Sequence, residues 1–121
     1  MPGTTMERCI RDCLDCHAVC IDMAMNHCLE TGGRHVAPHH FRLMMNCADM
    51  CATAAGFMLS GSGLQREVCA LCARVCEACA RSCEDVGDME RCVAACRRCA
   101  ESCHEMGAGA RALQSAEVLP M

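Results

Sequence analysis

Between Arg66 and Val86 the chain reads REVCALCARVCEACARSCEDV, with cysteines at 69, 72, 76, 79 and 83. Steps of three and four residues are the period of an α-helix, on which such positions stack along one face; a strand would repeat every second residue. The pattern occurs four times. Cys9, Cys13, Cys16 and Cys20 form a first stripe, continued in step by Met23 and His27. His40, Met44, Cys47, Cys51, Ala54 and Met58 form a second, Cys69, Cys72, Cys76, Cys79 and Cys83 a third, and Met89, Cys92, Cys96, Cys99, Cys103 and Met106 a fourth. Glu7–Cys20 and Glu90–Cys103 share the spacing ERC-x3-C-x2-C-x3-C. Fifteen of the sixteen cysteines thus fall at the positions of a helix that face a bundle axis. Cys28 lies one step off, beside His27.

The punctuation between stripes predicts four helices at about 5–31, 38–60, 63–86 and 88–106, with a tail over 107–121. Thr4 to Glu7 fits a capping box, and Gly32–Gly33 closes the first helix. Pro38 fits a first helical turn. The run Ser60–Gly63 ends the second helix, and Ser62 with Gln65 repeats the capping-box spacing. Gly87 stops the third helix, Asp88 is placed to cap the fourth, and Gly107 and Gly109 release the chain. Ala110–Met121 reads as a short terminal helix or strap. Short joints make successive helices antiparallel neighbours, so the expected fold is all-α: one domain, an up-down-up-down four-helix bundle.

Such a bundle puts the thiols in its core. Sixteen cysteines in 121 residues exceed the ~8–10% that marks a cysteine-defined chain, and the only aromatics are Phe41 and Phe57. Buried Cys is a small apolar residue, but fifteen in register bury less carbon than the Leu and Ile they replace, so the metal-free bundle should be the less stable one. Disulfides fit poorly, because same-helix pairs three or four apart aim their Cβ vectors badly and close only short loops. Metal fits better. Residues four apart have Cβ atoms ~5–6 Å apart, and an ion between two thiolates at the ~2.3 Å of a zinc–sulfur bond spans a little under ~5 Å.

Soft sulfur ligands select copper(I), zinc and iron–sulfur clusters. The loops and following proline of iron–sulfur ligation are absent here. A divalent ion on four thiolates leaves net negative charge in a dry core, which is costly, and no Arg or His lies on the third and fourth cysteine seams to offset it. A copper(I) ion carries one positive charge, so one ion per bridging thiolate gives a neutral core. The residues therefore point to binding of many Cu(I) ions, near one per Cys, with each ion displacing about one proton. A zinc or general soft-metal buffer with tetrahedral four-cysteine sites is the alternative. Among secondary donors, His27 and His40 lie in register with thiols, and Met23, Met44, Met58, Met89, His104 and Met106 collect toward the two bundle ends. His17, His35 and His39 read as surface residues.

No catalytic Ser/His/Asp set or phosphate loop is visible, and Cys69-Ala-Leu-Cys72 belongs to a longer stripe rather than to an isolated redox pair, so an enzyme is not expected. The formal charge of −4, with no basic cluster among aromatics, speaks against nucleic acid, and no apolar run approaches a membrane span. The N-terminus lacks the apolar segment of a secretory signal, which points to the cytoplasm, where thiols stay reduced. Two apolar flanks, Ile10, Leu14, Ile21 and Ala24 on the first helix and Val68, Leu71, Val75 and Ala78 on the third, suit core flank or an oligomer interface.

Over roughly residues 5–106, and above all in Cys9/Cys13/Cys16/Cys20, the run Cys69–Cys83 and Cys92/Cys96/Cys99/Cys103, the chain resembles the bacterial copper storage proteins, and its cytosolic branch in particular. The resemblance implies a cysteine-lined four-helix bundle, storage or buffering of copper(I) held along its axis, and a homotetramer. The second helix, with only Cys47 and Cys51, is thiol-poor for that pattern.

Overall fold

The computed structural model describes residues 4–108; the expected terminal helix or strap at Ala110–Met121 lies outside them. Helix α1 (Thr5–Asp22) opens on the capping box: Thr4 Oγ1 accepts from Glu7 N at 3.0 Å, and Glu7 Oε1 accepts from Thr4 N at 2.8 Å. The helix continues without a break into a π-helical segment, Met23–Cys28, and a closing turn, Leu29–Thr31. Gly32, at φ 72°, turns the chain into a 3-10 segment, Gly33–Val36. Pro38 then starts α2 (Pro38–Leu59), where its missing N–H costs nothing. Helices α3 (Gln65–Val86) and α4 (Glu90–Gly107) follow, with Gly87 at φ 85° between them.

Two expected caps are not made. Ser62 does not cap α3: its Oγ accepts from Leu64 N at 3.1 Å, which tightens the joint, and Leu64 occupies the cap position with no side-chain bond. Asp88 does not cap α4 either. It takes φ 56°, and its carbonyl faces His27 instead. In both joints the turn uses up the residue that spacing alone assigns to the helix. Gly107 closes α4 rather than releasing the chain: a Cβ there would stand 2.7 Å from Ala70 N, so α4 crosses the start of α3 at a distance only glycine allows.

Each helix lies against its neighbours in the chain, and α1 against α4 closes the ring. The directions alternate: Cys9 at the start of α1 meets Cys103 at the end of α4, and Cys20 meets Cys92. This is an up-down-up-down four-helix bundle. All sixteen cysteines line its interior, none more than 1% exposed. Ala24, Ala48, Ala54, Ala55, Ala73, Ala80 and Ala95 fill the buried positions beside them, and the largest fully buried side chains are Met44, Met58 and Met89. No Leu, Ile or Phe is buried among the described residues. Small flanking residues let the helices approach until sulfurs from different helices touch.

The outer faces are tied across helices rather than along them. Arg8–Glu105, Arg91–Asp22 (2.6 Å) and Arg98–Asp15 (3.2 Å) join α1 to α4, and Arg97–Glu84 (2.7 Å) joins α3 to α4. Half-exposed pairs of this kind set orientation more than stability.

Candidate metal centre

Each helix contributes one column of thiols, and the bundle brings the columns into contact. Sulfur–sulfur distances across helices are 3.5 Å for Cys51–Cys76, 3.6 Å for Cys51–Cys99, Cys13–Cys99, Cys13–Cys103 and Cys9–Cys103, and 3.7 Å for Cys47–Cys76 and Cys20–Cys92. Along one helix, Cys16–Cys20, Cys72–Cys76 and Cys99–Cys103 each stand at 3.9 Å. All sixteen thiols are free. These gaps suit an ion bridged by two sulfurs.

Four clusters of converging sulfurs emerge, the ligand atoms of each within 4.8 Å of one another: Cys13, Cys72, Cys99 and Cys103; Cys16, Cys20, Cys47 and Cys96; Cys16, Cys51, Cys76 and Cys99; and Cys9, Cys69 and Cys103. They overlap. Cys16, Cys99 and Cys103 each belong to two of them. Four separate tetrahedral sites would need disjoint sets of sulfurs; shared members instead suit bridging thiolates and ions that lie close together.

Protons are shared through the same network. Cys51 is pushed far up from an ordinary thiol, first by its hydrogen bond to Cys16 and then by its other sulfur partners and burial; Cys103 is pushed up likewise, Cys13 foremost. Other sulfurs are biased the other way, Cys16 chiefly by Cys20 and Cys72 chiefly by Cys103. At the bundle ends, burial and then the nearby Cys92 raise Cys28 to about 11. At Cys69 a hydrogen bond from Cys103 favours the thiolate, but Cys9 and burial outweigh it and bring the group to about 12. No Arg is buried among the described residues. Without metal, then, most of these thiols keep their protons.

Cys28 departs from what spacing implies. In α-helical phase Met23 and His27 continue the α1 stripe and Cys28 turns aside. The π segment, one residue wider per turn, resets the phase so that Ala24 and Cys28 face the axis, both fully buried. Met23 is left half-buried at the edge. His27 turns outward and donates from Nε2 to the Asp88 carbonyl at 3.0 Å.

Cys28 gathers unlike donors. Its Sγ lies 3.7 Å from Met89 Sδ, 3.8 Å from His35 Nδ1 and 4.0 Å from His40 Nε2. His35 is not a surface residue: the 3-10 turn folds it over the bundle end, 8% exposed, edge-on to His27 with ring centroids 5.0 Å apart. No periodic signal marks His35, because its position comes from a turn. His40 Nδ1 stands 2.8 Å from Ser82 Oγ, which orients Nε2 toward Cys28, and burial, helped by His35, holds the imidazole in its neutral form.

The other secondary candidates divide. Met44 Sδ is 3.9 Å from Cys83 Sγ, and Met58 is buried at the opposite end. Met106 packs half-buried on the core. His104 is 57% exposed and pairs with Glu77 at 3.1 Å, away from the axis. His17 is half-buried and donates to the Ala48 carbonyl at 2.8 Å, tying α1 to α2.

Known proteins are similar to this chain in sequence and in fold. The family described as copper storage protein matches residues 3–108. The crystal structure of the Nmul_A1745 protein from Nitrosospira multiformis is 54% identical and superposes with a TM-score of 0.84, over 86% of this chain and 95% of that one. The Cu(I)-bound copper storage protein BsCsp3 is 38% identical, with a TM-score of 0.80 over 87% of this chain and all of that one. Apo copper storage protein 3 from Bacillus subtilis is 39% identical, with a TM-score of 0.71 over 84% and 98%. A cysteine-rich protein of Bacillus subtilis, YhjQ, is 40% identical over 67 residues, which span 55% of this chain and 61% of that protein.

Proposed function

The chain belongs to the copper storage protein family, and on that premise we propose that it stores many copper(I) ions along its axis, near one per cysteine, in the cytoplasm. The observation that carries this reading is the overlap of the sulfur clusters through Cys16, Cys99 and Cys103. A thiolate shared between two clusters bridges two ions, and at one ion per thiolate a monovalent ion leaves such a core neutral without buried arginine. Zinc on isolated four-cysteine sites would use some sulfurs twice.

Loading is an exchange of charge for charge. A copper(I) ion that binds a buried thiol displaces about one proton, so the interior stays neutral at each step. The sixteen cysteines, Cys28 included, are the principal ligands. His35, His40, Met44 and Met89 add neutral donors at one end. The chain is a store, not a catalyst. It works as a homotetramer, and Leu14 and Leu71, the half-exposed members of the α1 and α3 apolar flanks, supply surface for that assembly.

Anaerobic titration of the reduced protein with copper(I) and with zinc against a competing chelator tests this. The expected result is saturation near one copper per cysteine, with about one proton released per ion. A plateau at about four zinc ions, with weak copper uptake, would favour discrete tetrahedral sites.

A further inference from the structure

Side chains cover both ends of the axis. At the Cys9 end Met58 is buried, and Gly107 lies against Ala70. At the Cys28 end the 3-10 turn sets His35 over the opening, and His27 is fastened to Asp88 beside it. A hollow lies next to that cap. A cavity of about 370 Å³ opens at the corner between α3 and α4, with Cys83 and Met89 in its lining, Glu84, Asp88 and Glu90 at its rim, and Ala94 on its wall. The larger hollow between α2 and α3, about 470 Å³, has no sulfur in its wall.

Two sulfur paths run inward from this corner. Met89 Sδ touches Cys28 Sγ at 3.7 Å, which leads to His35 and His40. Cys83 Sγ touches Met44 Sδ at 3.9 Å, and Cys79 and Cys92, the first thiols of the column beneath, are near enough to act on its proton. We propose that copper(I) enters through this side cavity, with Met89 and Cys83 the first protein sulfurs it meets; the inference rests on the storage reading above.

The two sulfurs divide the exchange. Met89 is a neutral thioether and binds a soft cation without losing a proton. Cys83 then forms its sulfur–copper bond as the bond to the incoming carrier ligand breaks. Its proton passes to that released ligand or to water, and copper remains monovalent throughout. Glu84 is engaged by Arg97 at 2.7 Å, and Asp88 has His27 Nε2 3.6 Å from its carboxylate. Glu90, at the exposed start of α4, adds a further carboxylate that raises the local concentration of cations.

Stopped-flow uptake of copper(I) from a chromophoric chelator, under anaerobic conditions, separates the route from the store. Ala94→Phe narrows the cavity without removing a donor. It is expected to slow uptake by about tenfold, as a narrowed gate does, while the final copper per chain equals that of the unaltered protein. Glu90→Gln should slow uptake less, with an effect that fades as salt rises. Leu64→Phe, on the exposed joint at the opposite end, should leave the rate unchanged. Full capacity with an unaltered rate in both Ala94→Phe and Glu90→Gln overturns the route and leaves the store standing, as does a Leu64→Phe variant slowed as much as Ala94→Phe. Little copper bound at equilibrium by the unaltered protein removes the store itself.

Discussion

The middle of the bundle and its Cys28 end are built from different donors. In the middle, Cys16, Cys47, Cys51, Cys76, Cys96 and Cys99 come from all four helices, take only other thiols as hydrogen-bond partners, and share members between clusters. At the end, one thiol faces two imidazole nitrogens and a thioether, and a cavity reaches the adjoining sulfurs. Thiolates neutralise and hold a soft cation. Neutral donors hold it without cancelling its charge. A single interior can therefore combine a region of tight retention with one of easier exchange, and the difference lies in residue type rather than in fold.

The strongest test of that contrast is to remove one sulfur from each region. Cys16→Ala takes a member from two clusters at once and is expected to cost more than one copper per chain, whereas Cys28→Ala costs no more than one; metal analysis after anaerobic loading measures both. Equal losses would erase the distinction.

Stability offers a second comparison, between the closely crossed Cys9 end and an open helix face. Gly107→Leu forces a side chain into the Ala70 backbone and should destabilise the metal-free protein by about 1–3 kcal/mol, the usual range for overpacking. Gly56→Ala has nothing within 4 Å of the added carbon and should stabilise α2 by about 0.5–1 kcal/mol. Thermal melts without and with copper read both, and bound copper should raise every melting temperature.

At the Cys28 end, His40→Ala should weaken one ion by about tenfold and leave the sulfur-only capacity intact; replacing a ligand's partner alone typically costs 10–100-fold. Protonation gives the same residue a pH signature. The folded protein keeps His40 neutral below the ordinary histidine range, while the unfolded chain takes up a proton near ~6.5. Metal-free stability should thus fall as the pH drops from that value toward the lower folded pKa, and His40→Ala should flatten the fall. The smallest effect belongs to the surface. Asp22→Asn breaks a half-exposed pair with Arg91 and should leave both copper capacity and the melting curve unchanged within error.

Much of this molecule was legible in the spacing of its cysteines. The helices follow from a period of three and four, their ends from Thr4, Pro38 and the glycines, and the identity of the core from the thiols in register. The joints were less legible. Ser62 and Asp88 have the residue types and spacing of caps, but a turn and a long-range contact to His27 claim them first. Cys28 and His35 were hidden for a related reason. A rule of 3.6 residues per turn places His27 inward and Cys28 aside, and only the wider π turn reverses them.

Taken alone, the sequence determined which residues are helical, which face of each helix is buried, and that the buried atoms are soft sulfur; period, caps and donor chemistry are local and survive any arrangement of the helices. The tertiary structure decided which sulfurs meet, that Cys16, Cys99 and Cys103 serve two clusters each, and that His35 closes the Cys28 end. Those outcomes depend on the rotation of each helix about its own axis and on a turn that carries one histidine over the opening, and neither is written in the spacing of a single stripe.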